Sequence, residues 1–193
     1  MRARDNPFST NRILLIRYRL QGITWEALFD RLVSLRFRAA VTGAHGAGKT
    51  TLLEDLEIKL SERGFVPRFI RLNTSSARRE KRELLKFAKT TGSKEFLILD
   101  GAEQLNRIEW LRLRWLSRHA GGLLISLHRP ARLPTLWHCR TDPRLLEQIV
   151  AEIAPSMSGS RNFHALFRRH DGNLREALRE LYDECAGNGK LFH

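Results

Sequence analysis

The run Gly43-Ala44-His45-Gly46-Ala47-Gly48-Lys49-Thr50 satisfies the pattern G-x-x-x-x-G-K-[ST], the Walker A phosphate loop. Glycines at these spacings let successive backbone N–H groups turn inward around a phosphate. A helix that follows adds its positive amino end, and Lys49 carries a point charge to the β- and γ-phosphates of a nucleotide. Thr50 is the expected Mg²⁺ ligand, Thr51 is expected with the loop among the nucleotide-binding residues, and His45, at a variable position, only lines the loop. Mg²⁺ also needs an anionic anchor through its water shell, and Asp100 is the natural choice because it closes the most apolar run of the chain, Glu95-Phe96-Leu97-Ile98-Leu99-Asp100. ATP and Mg²⁺ are the cofactors these residues imply. Three residues beyond Asp100, Glu103 stands where a carboxylate can orient an attacking water, or else where it caps the following helix.

These side chains need a scaffold, and the hydrophobic pattern supplies one. A short β-compatible run at 38–42 precedes the loop, and Leu52, Leu53, Leu56 and Leu60 after it fall at helical spacing. Strand 67–72, helix 77–89, strand 95–100 and helix 107–119 then alternate, followed by a buried-looking strand at 122–128 and another at 133–140. Strands apolar on both faces belong in a parallel sheet covered by helices on both sides. The remainder reads as helical: one segment from Pro143 toward Ala151, a short one holding Phe163, Leu166 and Phe167, and a last one N-capped by Asn173 with Leu174, Ala177, Leu178, Leu181 and Cys185 on its apolar face.

The loop, the run 97–104, the later Leu124-Ile125-Ser126 and Gly172-Asn173-Leu174-Arg175-Glu176-Ala177-Leu178 together resemble a minimal AAA+ or STAND-type ATPase. Asn6-Pro7-Phe8 and Trp25-Glu26-Ala27-Leu28 are similar to the lead-in of small AAA ATPases associated with transposition and secretion systems. The resemblance implies an α/β fold of three layers, a P-loop NTPase with a parallel five-stranded sheet and a small C-terminal helical lid: residues 1–141 as core and lead-in, 142–193 as the lid. It also implies that Ser126, or else His128, is the polar sensor near the γ-phosphate, and that Arg175 is the second sensor in the lid. Phe8, Ile23 and Trp25 are then either adenine contacts or core. With Lys49, Asp100 and Glu103, Ser126 and Arg175 complete the expected catalytic set. Two departures stand out. Gly101 replaces the Glu that usually follows the Walker B Asp, and the connection 128–133, which carries Arg129 and Arg132, is too short for the helix that presents an arginine finger. A nucleotide switch with weak hydrolysis is therefore expected rather than a ring motor. The alternatives are a small-molecule or nucleoside kinase, and a nucleic-acid-binding adaptor in which the nucleotide is structural.

Composition bounds the partners. The 193 residues carry 34 Lys and Arg against 21 Asp and Glu, a net charge of +13, with 27 of the 34 being Arg. Such a balance suits a polyanion. On helix 77–89, Arg78, Arg82, Lys86 and Lys89 share one stripe, with Glu80 and Glu83 expected on another face, so nucleic acid can be tracked there. On helix 107–119, Arg107, Arg114 and Arg118 line up beside Ile108, Leu111 and Trp115, an aromatic expected in the core. A protein partner is the other expectation, and the oligomeric state is left open. Cys139 and Cys185 form no C-x-x-C pair, the amino terminus shows no signal peptide, and the longest weakly polar stretch, 120–127, falls far short of the roughly 20 residues a membrane span requires. The expected compartment is the cytoplasm.

Overall fold

The computed structural model describes residues 6–13, 15–74, 78–157, 159 and 161–188. In chain order the elements are α1 (Thr10–Ile13), α2 (Trp25–Ser34), β1 (Arg38–Gly43), α3 (Lys49–Glu62), β2 (Val66–Arg71), α4 (Arg78–Thr90), β3 (Glu95–Asp100), α5 (Arg107–Leu116), β4 (Gly122–Leu127), β5 (Thr135–Cys139), α6 (Pro143–Ile153), α7 (Phe163–Arg169) and α8 (Leu174–Asn188). The fold is α/β, with a five-stranded parallel sheet in the order β2-β3-β4-β1-β5, an arrangement compatible with a P-loop fold.

Burial explains the sheet. Ala39, Ala40 and Val41 of β1, Phe96 to Leu99 of β3 and Leu123 to Ile125 of β4 have no exposed surface, as strands covered on both faces must. Alternation then divides them: Ala40, Leu97, Leu99, Leu123 and Ile125 join Leu84 and Ala88 of α4 and Trp110 and Leu113 of α5 in one core cluster. Because the strands are parallel, Gly43, Asp100 and Leu127 all end at the same edge of the sheet. The helix over 25–34 was not among the sequence expectations; Thr24 caps it through the Ala27 amide, and Leu28, Phe29 and Leu32 are its buried face.

Two compact units divide the chain, one comprising 19–43 and 52–138 and the other the described residues of 1–18, 44–51 and 139–193. The first holds the core cluster just described. The second has its own, in which Phe8 packs with Leu146, Val150, Phe163, Leu166, Leu174, Ala177 and Leu181. Asn6 ties the lead-in to α8 by donating from Nδ2 to the Tyr182 carbonyl at 2.9 Å. Phe8, 1% exposed, is thereby core rather than a nucleotide contact. Among the described residues no helix is long and apolar enough to cross a membrane.

Candidate nucleotide-binding site

The loop at 43–50 leaves the buried strand β1 and enters α3 at Lys49. Gly46 has a φ of 70°, in the left-handed region that favours glycine. A Cβ there would also lie 1.8 Å from Asn173 Oδ1 and 3.3 Å from the Arg175 amide nitrogen, so only glycine permits this approach to the start of α8. Asn173 caps that helix by accepting from the Arg175 and Glu176 amides at 3.1 and 3.3 Å. Lys49 is buried, and its ammonium donates back across the loop to the Ala44 carbonyl at 2.7 Å. Its charge also reaches Cys139. Burial pushes that thiol up to about 11, against the opposing pull of a Tyr18 hydrogen bond and the Lys49 charge. Arg175 sits exposed in the first turn of α8, His45 is exposed, and Thr50 and Thr51 are half-buried.

The ends of β3 and β4 form a second cluster, in the sheet-bearing unit. The register that pairs Leu99 with Ile125 brings Asp100 and Ser126 side by side at the next step. Ser126, 1% exposed, donates from Oγ to Asp100 Oδ1 at 2.5 Å and accepts from the Gly101 amide at 2.8 Å. One hydroxyl thus fixes both the carboxylate and the turn that follows it. Glu103 lies on the short 3-10 turn Ala102–Gln104, with Oε1 2.9 Å from His128 Nε2. Its other oxygen, Oε2, is buried and has no hydrogen-bond partner among the described residues.

The alternative role of Glu103, as the cap of the next helix, is corrected here. Asn106 caps α5 by accepting from the Glu109 amide, and the Glu109 carboxylate accepts from the Asn106 amide, a complete capping box. Burial alone would raise the Glu109 carboxyl, but the Asn106 amide and Lys81 hold it below its ordinary value. The turn itself is held by Arg132, which donates to the Ala102 and Leu105 carbonyls at 2.7 and 2.6 Å and lies over the Trp110 ring. Arg132 is therefore engaged within its own unit, while Arg129 is exposed.

Two expectations about the basic faces change. Glu83 is not segregated from the α4 stripe, because residues three apart are neighbours on a helix and Lys86 Nζ lies 3.3 Å from Glu83 Oε1. Trp115 is not core: it is 63% exposed, because α5 buries Trp110 and Leu113 instead. Arg82, Lys86 and Lys89 are exposed, whereas the side chain of Arg78, and Ala77 before it, fall outside the described residues.

Sequence reasoning found Asn173 as a cap, but missed its packing on Gly46 and the pairing of His128 with Glu103. No local pattern announces either, since both depend on residues far apart in sequence. Among the described residues no group of three or more His, Cys, Asp or Glu side chains is arranged to hold a metal ion. The chain matches no protein-family model and no curated protein.

Proposed function

We propose that this chain binds ATP with Mg²⁺ at the loop 43–50 and hydrolyses it slowly, as an AAA+ or STAND-like nucleotide switch. The observation that carries the reading is the buried Lys49 ammonium turned back over a glycine-rich loop, with left-handed Gly46, between a buried parallel strand and α3. A phosphate oxygen can replace the Ala44 carbonyl as the acceptor for Lys49, while loop amides and the positive end of α3 receive the remaining charge.

In this reading Mg²⁺ takes few protein ligands, because it favours a few oxygens and retained waters over a protein cage. The loop would offer the ion the Thr50 hydroxyl, and by the motif Asp100 is the candidate anchor for its water shell; a bound ion would neutralise phosphate charge. Ser126 positions Asp100, and His128 positions Glu103 in the same way; in this reading the Glu103 carboxylate accepts a hydrogen bond from the attacking water. Arg175, at the start of the helix packed on Gly46, is the second sensor in this reading. Of the two arginines on the connection 128–133 that a kinase could use as a lid over the phosphates, Arg132 is committed to the Ala102 and Leu105 carbonyls and Arg129 is exposed.

Single-turnover hydrolysis of prebound ATP tests the catalytic part. Glu103→Gln should slow it at least tenfold, roughly 1.4 kcal/mol of barrier, with ATP binding intact. An unchanged rate would remove Glu103 from the reaction and leave a slow or inert nucleotide switch.

A further inference from the structure

Helix α5 carries two apolar stripes, and only one has a partner. Trp110 and Leu113 enter the core, while Ile108, Leu111 and Trp115, at i, i+3 and i+7, are 69%, 60% and 63% exposed. Three large apolar side chains in one row on a surface helix mark an interaction site. The helix is a firm platform, since its start is fixed by the Asn106–Glu109 capping box and by Lys81, which donates to the Gln104 carbonyl at 2.7 Å and lies 3.2 Å from Glu109.

The rim of the row decides the partner. Arg107, Arg112, Arg114 and Arg118 are all exposed around it, and the one acid of α5, Glu109, is occupied by the cap and by Lys81. A second copy of this chain would set these arginines against their equals, which is repulsive. A nucleic acid would satisfy the charge but would leave Ile108 and Leu111 unburied, and one face of the Trp115 ring is already covered by the Arg118 guanidinium, 4.2 Å from its centroid. The neighbouring α4 makes the contrast: among its described residues the exposed side chains are Arg79, Glu80, Arg82, Glu83, Lys86, Lys89 and Thr90, with no large apolar group.

We propose that the outer face of α5 docks an acidic amphipathic helix of a partner protein, whose apolar row packs on Ile108, Leu111 and Trp115 and whose flanking carboxylates meet the arginine rim. This is the helix-on-helix mode in which anchors at i, i+3 or i+4, and i+7 supply affinity and charges supply orientation. It is independent of nucleotide binding.

The test uses the full chain and a fluorescein-labelled helical peptide of about four turns, with leucines at i, i+3, i+4 and i+7 on a glutamate-rich background, followed by anisotropy. The peptide should bind the wild type and bind at least tenfold more weakly to Leu111→Ser/Trp115→Ser and to Arg114→Glu/Arg118→Glu. Both variants alter exposed side chains, and unchanged thermal melting would confirm their folding. A lysine-for-glutamate version of the peptide should not bind. The proposal is overturned if the acidic peptide fails to bind, if the lysine version binds equally, or if either variant retains full affinity. It is also overturned if the serine variant instead abolishes self-association by sedimentation, or loses binding to labelled oligothymidine while keeping the peptide.

Discussion

Gly101 is where one residue's backbone limits the chemistry available to the whole cluster. Its φ of 85° and ψ of 39° are left-handed, and a Cβ at this position would lie 2.1 Å from the Leu72 carbonyl oxygen. That carbonyl cannot readily give way, because the Leu72 amide donates to the Asp100 carbonyl at 2.8 Å and so continues the β2–β3 ladder. A glutamate directly after Asp100 is therefore sterically excluded, and the nearest carboxylate is Glu103. Gly101→Ala should destabilise the fold by about 2 kcal/mol or more, read as a lower urea midpoint. An unchanged midpoint would mean that the turn relaxes freely and that the glycine has another cause. The sequence showed the departure at 101 but not its reason, since Leu72 is far from it along the chain. The cap of α5 was legible: Asn106-Arg107-Ile108-Glu109 has the spacing of a capping box, and reading it would have released Glu103 from that role.

Among elements, the buried strands were legible because both of their faces are apolar, and the expected strand 95–100 has the bounds found. Helix faces were harder. On α5 the rows 110–113 and 108–111–115 are both apolar at helical spacing, so periodicity alone does not say which one is buried; burial in the core cluster that also holds Leu97, Leu99 and Leu123 selects the first. Helix α2 is hard to see in the sequence because its tetrapeptide Trp25-Glu26-Ala27-Leu28 resembles a lead-in signature, although Leu28, Phe29 and Leu32 carry the period of an amphipathic helix. On α4 the exposed cations Arg82, Lys86 and Lys89 remain a proposed polyanion face, even with Glu83 beside Lys86. Reversing those three to Glu should abolish oligonucleotide binding and flatten its salt dependence, by about one unit of log–log slope for each phosphate no longer neutralised. Equal binding by the reversed variant in a salt titration would show that the charge of this face is compositional.

At the scale of the whole molecule, the chain is strongly basic, at +13, and its two units each enclose a separate apolar core. The sheet unit ends β1, β3 and β4 at one edge, where ligands of open α/β sheets bind, and the loop that begins at Gly43 leaves from that edge. The alternation of strands and helices made this topology legible. The grouping of residues 44–51 with the carboxy-terminal helices was not, because it rests on close approaches such as Gly46 to Asn173. The central claim is that the loop holds a nucleotide, and calorimetric titration of Mg²⁺·ATP into wild type and Lys49→Ala tests it most directly. The account predicts that the wild type binds, and that Lys49→Ala loses at least about tenfold in affinity, or 1.4 kcal/mol, with its secondary structure retained by circular dichroism. Equal affinity in the two proteins, or no heat of binding in the wild type, would contradict it.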